Sequence, residues 1–203
     1  MARDRDKIER KLSRVRCVRR GGWAGLIALI VSIILDRSGT FGYRGDDQEN
    51  FDQSRMLVKH VWDGDTVVVR DGEKEERVRL IGIDAPELSD DAYWSTQSKR
   101  YLAARAEGKD LILRIEPSNP RDRHGRLLAY LFTEAGENLN ESALRDGQAY
   151  ADRRHDHTFR GQFEAAETEA RRKDRGLWKE VAEAQMPEWR KRWLADRRER
   201  ESK

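Results

Sequence analysis

Two Asp-Gly pairs, Asp63-Gly64 and Asp71-Gly72, punctuate the stretch from Met56 to Asp84 and constrain the fold more than any other feature. Asp-Gly makes a tight hairpin turn, because glycine tolerates positive φ and the aspartate side chain can bond its own turn. The segments between the turns, MLVKHVW (56–62), DTVVVR (65–70) and ERVRLIGID (76–84), are short and rich in branched apolar residues, as strands are. A helical segment, Ser95 to Ala106, is stopped at Gly108, and two further strands follow, DLILRIE (110–116) and RLLAYLF (126–132). Asn138 to Asp146 reads as a short helix ended by Gly147. Thr158 to Asp174 reads as a longer one, with Thr158 as N-cap and Phe159, Phe163, Ala166 and Ala170 as its apolar stripe. Five strands with a helix between the third and fourth predict an α+β, mainly β fold: a five-stranded OB-type barrel with about three helices.

Charge is unevenly spread. Residues 1–20 carry nine Lys/Arg against three Asp/Glu, whereas residues 55–180 carry 23 against 25. The pI of about 9.0 therefore reflects the N-terminal arm, and the argument from a basic pI to a DNA-coating protein fails. Cys17 is the single cysteine, which excludes an intramolecular disulfide and a Cys-based zinc site, and the four histidines form no HExxH-like pattern.

Between the basic arm (1–20) and an acidic, glycine-bearing linker (36–54) lies WAGLIALIVSIIL, which with Gly21 and Gly22 gives fifteen uncharged residues at 21–35. As a helix this is roughly 22 Å long, short of a bilayer core of about 30 Å. A signal-anchor fits the Ile/Leu run, Trp23 and Arg19-Arg20 better than a cleaved signal peptide, whose basic region is shorter than twenty residues. The expectation is a single-pass membrane tether with everything after residue 36 on the extracytoplasmic side; the alternative is secretion after cleavage.

RLIGIDAPE (79–87) holds an arginine and two carboxylates around an apolar centre. Charges entering a core need a partner or a ligand. Asp65 and Asp84 fall at strand ends, where turns can bring two hard oxygen donors to one cation of the Ca²⁺ type. Each piece taken singly has an ordinary explanation: Asp63 and Asp65 as turn formers, Arg79–Glu87 as a structural ion pair, Arg126 as a surface charge.

Four stretches in this order, DGDTV (63–67), RLIGIDAPE (79–87), DRHGRLLAY (122–130) and NESALRDGQA (140–149), resemble the thermonuclease, or staphylococcal-nuclease-like, family over about residues 55–180. The resemblance implies a Ca²⁺-dependent nuclease hydrolysing phosphodiester bonds of DNA and RNA. It implies Asp65, Asp84 and the Ala85 carbonyl as metal ligands, Glu87 as the group that orients or deprotonates water, and Arg79 and Arg126 as the phosphate-binding arginines. The chain departs from the family at Ala85, where threonine is usual, and at His124, where a tyrosine is expected. The two tyrosines that flank a bound nucleotide fall at Arg153 and His155. Substrate contacts are thus expected from His124, Arg153 and His155. The stretch after Glu87, LSDDAYW, is acidic where the family is lysine-rich.

The tail (181–203) sets Trp189 and Trp193 one helical turn apart, and a short helix docking these rings on the domain is expected. No protein partner is inferred, and the chain is expected to act as a monomer. The competing functional class is a nucleic-acid-binding module that keeps the barrel but has lost catalysis.

Overall fold

A computed structural model describes residues 47–87 and 92–202. Five strands close into a barrel: β1 (Arg55–Val61), β2 (Thr66–Asp71), β3 (Lys74–Leu80), β5 (Asp110–Ile115) and β6 (Leu127–Phe132), in the order β1-β2-β3-β6-β5. Every pairing is antiparallel except β3–β6, which is parallel. Period-two alternation sends Val67, Val69, Val78, Leu80, Leu111, Leu113, Ile115, Leu127, Ala129 and Leu131 into the core. In β1 the register shifts between Val58 and His60, so Val58 and Val61 are both buried although three residues apart. A bulge at that point restores the inward phase of the strand.

The third strand departs from the expected run of 76–84. It stops at Leu80, the chain turns at Ile81-Gly82, and Ile83–Asp84 forms a separate two-residue strand, β4, paired with β7 (Tyr150–Ala151). Gly82 adopts φ +77°, and a Cβ there would stand 2.5 Å from His157 Cε1 and 2.8 Å from Phe163 Cδ2. Only glycine meets both demands without strain. The break lifts Asp84 out of the barrel wall.

Five α-helices stand among the described residues, more than the three expected. α1 (Asp47–Phe51) lies inside what reads as linker, and its Asp47 is buried against Arg121 (Nε–Oδ2 2.6 Å, Nη2–Oδ1 2.9 Å). α2 (Ala92–Ala106) buries Leu102 and Ala106 on the barrel. α3 (Leu139–Arg145) is capped by Asn138, whose Oδ1 accepts from the Asn140 and Glu141 amides. α4 (Arg160–Arg172) starts two residues later than expected: Thr158 is no N-cap, since its hydroxyl donates to Glu116 instead. Phe163, Ala166 and Ala170 form its buried stripe. α5 (Glu188–Glu201) carries the tail back to the domain, with Arg190 fully buried. Among the described residues no helix is long and apolar enough to cross a membrane; the 21–35 segment lies outside them.

Candidate active site

The site forms where the β1–β2 turn, the end of β3 and β4 converge. Asp65 is 7 % exposed. Its Oδ2 accepts from the Ala85 amide at 2.8 Å and pairs with Arg79 Nη1 at 2.7 Å, while its Oδ1 accepts from the Thr66 hydroxyl at 3.1 Å. Gly64 makes this approach possible, since a Cβ at 64 would sit 2.5 Å from Ala85 Cβ and 2.7 Å from Ser98 Cβ. Asp63 shapes the turn as expected of a turn former, its Oδ1 accepting from the Asp65 amide at 2.9 Å.

Arg79 is the hub. Its guanidinium reaches Asp65 through Nη1 and Asp84 Oδ1 through Nη2 at 2.9 Å, and Nη1 also donates to the Ile83 carbonyl at 3.0 Å. The Ile81-Gly82 break is what lets one side chain at residue 79 hold residues 83 and 84. Asn140, fully buried, pins the break from behind: its Nδ2 donates to the carbonyls of Ile81 (3.0 Å) and Ala129 (3.3 Å), and its Oδ1 accepts from the Leu131 amide. That gives the NESALRDGQA stretch a positioning role behind the cluster.

Carboxylates outnumber cations here. Burial pushes the Asp65 carboxyl up to about 7, aided by Asp63 and Asp84 and opposed by Arg79. Burial alone would pull the Arg79 guanidinium down, but Asp65, Asp84, Asp63 and Asp152 outweigh it and raise it above its ordinary value. Asp84 Oδ1 takes a second donor, Arg154 Nη2 at 2.8 Å, and Oδ2 accepts from Trp189 Nε1 at 2.7 Å. Arg154 also binds Asp152, which is held below the ordinary carboxylate range because this contact outweighs burial.

The other expected site residues lie around this cluster. Ala85 is buried beside Asp65, and Glu87 is exposed just past the buried Pro86. Arg126 stands between β6 and Gly125, which has φ +77°. Arg79 pairs with Leu128 across the parallel β3–β6 ladder. Directly paired residues share a sheet face, so Leu128 lies on the face of Arg79; Arg126 stands two residues before it, outside the strand. Its guanidinium pairs with Asp122 (Nε–Oδ2 2.7 Å), and this bond with the Arg126 and His124 amides lowers Asp122 despite its partial burial. His124 and His155 are exposed. The Arg153 guanidinium belongs to another cluster: it binds Glu164 (3.0 Å) and Glu167 (2.9 Å) and stacks 4.3 Å over Trp193.

Three residues at Asp84 were not foreseen: Asp152, Arg154 and Trp189. They approach it from more than sixty residues away in sequence, and no local spacing announces that; the Trp189–Trp193 period gave only the docking face.

These carboxylates could hold one hard divalent cation, with Asp65 and Asp84 as ligands and the Ala85 backbone beside Asp65. Among the described residues no group of three or more Asp, Glu, His or Cys side chains gathers at metal-ligand spacing. The fit therefore rests on two carboxylates, a main-chain oxygen and water, which suits Ca²⁺. The buried, under-compensated Asp65 is the feature a cation would satisfy.

Residues 77–180 match the family model described as staphylococcal nuclease homologue. An uncharacterized endonuclease of Escherichia coli O157:H7 is 35 % identical over 136 residues, covering 66 % of this chain and 84 % of that protein. A thermonuclease of Staphylococcus intermedius is 31 % identical, covering 75 % and 92 %, and a micrococcal nuclease of Shigella flexneri is 32 % identical, covering 68 % and 80 %. With its OB-type barrel, the chain belongs to the staphylococcal nuclease homologues and is a phosphodiester-hydrolysing nuclease.

Proposed function

We propose that the protein is a Ca²⁺-dependent endonuclease of DNA and RNA, tethered to a membrane by residues 21–35 with its barrel on the extracytoplasmic side. The observation that carries the metal assignment is the buried Asp65–Arg79–Asp84 cluster, whose carboxylates exceed its cations. Asp65, Asp84 and the Ala85 carbonyl would hold the ion, which when bound would supply Lewis-acid polarisation of the phosphoryl group. Glu87 takes a proton from the attacking water; its exposed carboxylate, fixed in sequence by Pro86, can approach substrate from solvent. Arg79, which now spends its fork on Asp65 and Asp84, turns to phosphate oxygens when those carboxylates take the ion, and its bonds strengthen as charge develops there. Arg126 exchanges Asp122 for phosphate. The membrane tether is supported by the sequence of 21–35 alone.

The test is cleavage of single-stranded DNA and of RNA by the full chain with Ca²⁺ and with chelator. Glu87→Gln is expected to lower kcat about 10²–10⁴-fold with an unchanged melting curve, the size of a general-base effect. Undiminished cleavage in chelator overturns the metal assignment. Tight DNA binding with no cleavage in any divalent metal makes the protein a binding module instead.

A further inference from the structure

The family match ends at residue 180, yet α5, beyond it, touches the site. Three donors hold the Asp84 carboxylate. Arg79 and Arg154 bond Oδ1, and Trp189 Nε1 bonds Oδ2 at 2.7 Å. A carboxylate has about four lone-pair positions, so one is left for a further partner. Of the three donors Trp189 is the uncharged one, so it fixes the orientation of Asp84 without neutralising it.

Trp189 is itself firmly held. The next residue, Arg190, is fully buried and pairs with Glu167 Oε1 at 2.7 Å. The same Glu167 oxygen accepts from the Ala151 amide at 2.9 Å. Ala151 sits in β7, which pairs with β4 through Ile83↔Ala151 and Asp84↔Tyr150. The contacts close a circuit: Asp84, Trp189, Arg190, Glu167, β7, β4 and back to Asp84. The Arg154 guanidinium lies 5.0 Å over the Trp189 ring and completes the cover. A detachable latch would have to expose or strand the Arg190–Glu167 charges each time it opened, which buried pairs resist. This anchor makes the helix a fixed brace.

We propose that Trp189 is a positioning residue for the metal site, its indole N–H setting the Asp84 carboxylate in the orientation that binds the cation. The inference rests on the Ca²⁺ reading given above. Groups that orient a ligating carboxylate typically contribute a factor of about 10–100 in metal affinity.

The experiment is calorimetric titration of Ca²⁺ into the full chain without nucleic acid, for the wild type and Trp189→Phe. Phenylalanine keeps a ring beneath Arg154 and removes only the indole donor. The expected result is a Ca²⁺ Kd raised about tenfold. A second measurement does not require the variant to fold as well: the indole ¹H–¹⁵N resonance of Trp189 in the otherwise native protein should move on Ca²⁺ addition and in Asp84→Asn. Unchanged or tighter Ca²⁺ binding by Trp189→Phe overturns the brace alone, as does an indole resonance indifferent to both Ca²⁺ and Asp84→Asn. A wild type that takes up no Ca²⁺ overturns the metal reading, and the brace with it.

Discussion

Two buried clusters of arginine and carboxylate meet at the β4–β7 ribbon, and their stoichiometry differs. Around Asp65 the carboxylates of Asp63, Asp65, Asp84 and Asp152 face two guanidiniums, Arg79 and Arg154. Beneath the tail, Glu164 and Glu167 face Arg153 and Arg190, with Arg160 a further partner of Glu164 at 3.2 Å, and aromatic rings cover the cations: Trp193 lies 4.3 Å from Arg153, and Tyr150 and Trp178 lie 5.1 Å and 5.0 Å from Arg190. Ring faces stabilise a cation where hydrogen-bond acceptors run short, and Arg190 Nε and Nη2 indeed find none. A cluster without surplus negative charge, its cations sealed under several rings, is scaffold. One with surplus negative charge and a single ring, Trp189 over Arg154, for cover is arranged for a ligand.

The largest expected effect breaks the ring-sealed cluster. Glu167 is the shared partner of Arg153, Arg190 and the Ala151 amide. Glu167→Gln leaves buried guanidinium charge uncompensated, and breaking such pairs costs about 3–5 kcal/mol. Urea unfolding should record that loss, and saturating Ca²⁺ should not recover it. A loss below about 1 kcal/mol, the worth of an exposed pair, would show that the cluster is not structural.

The opposite sign is expected at Asp65. Its carboxyl titrates near 7 in the folded chain against an ordinary value of 3.8, so the native state keeps a proton that the unfolded chain has released between those values. Wild-type stability therefore falls as pH rises through this window. Asp65→Asn escapes that penalty: its advantage is nil near pH 3, grows through the window and is complete above pH 7. A shift of about three units, in which the attraction of Arg79 is already counted, corresponds to a gain of up to about 4 kcal/mol. Unfolding curves from pH 3 to 8 check it, and Ca²⁺ should then stabilise the wild type but not the variant. A variant that is less stable at pH 8 would mean that Asp65 is already compensated.

The sequence announced the barrel because its signals are local. Asp-Gly turns and period-two alternation lie within a few residues of what they specify, and the Gly108 and Gly147 stops are equally short-range. The break at Gly82 was hidden because Leu-Ile-Gly-Ile reads as continuous apolar strand; what interrupts it is pairing with β7 and the pressure of His157 and Phe163, all distant in sequence. Helix α1 was hidden among acidic residues because its Asp47 is held by Arg121, 74 residues away. At the site, Asp65, Arg79, Asp84 and Ala85 could be grouped from motif order. The placement of Arg153 and Arg154 could not, since adjacent arginines in RRHDH look equivalent until the fold sends one to each cluster.

That adjacency permits the finest test of the comparison, and the smallest expected effect. Arg153 is 12 % exposed and bound to two carboxylates, whereas the Arg154 side chain is 41 % exposed. Arg154→Gln should therefore change stability by less than about 1 kcal/mol, as for other solvent-screened pairs. It also removes a positive charge 2.8 Å from Asp84 Oδ1. A divalent cation repelled through a high effective dielectric gains about 1 kcal/mol from that loss, so Ca²⁺ should bind several-fold tighter at low ionic strength. The gain should fade near 0.5 M salt, where charges a few ångströms apart are screened. Arg153→Gln should do the reverse, lowering the melting temperature while leaving Ca²⁺ affinity where it was. If both variants weaken Ca²⁺ binding equally, the two clusters act as one unit, and surplus charge no longer separates site from scaffold.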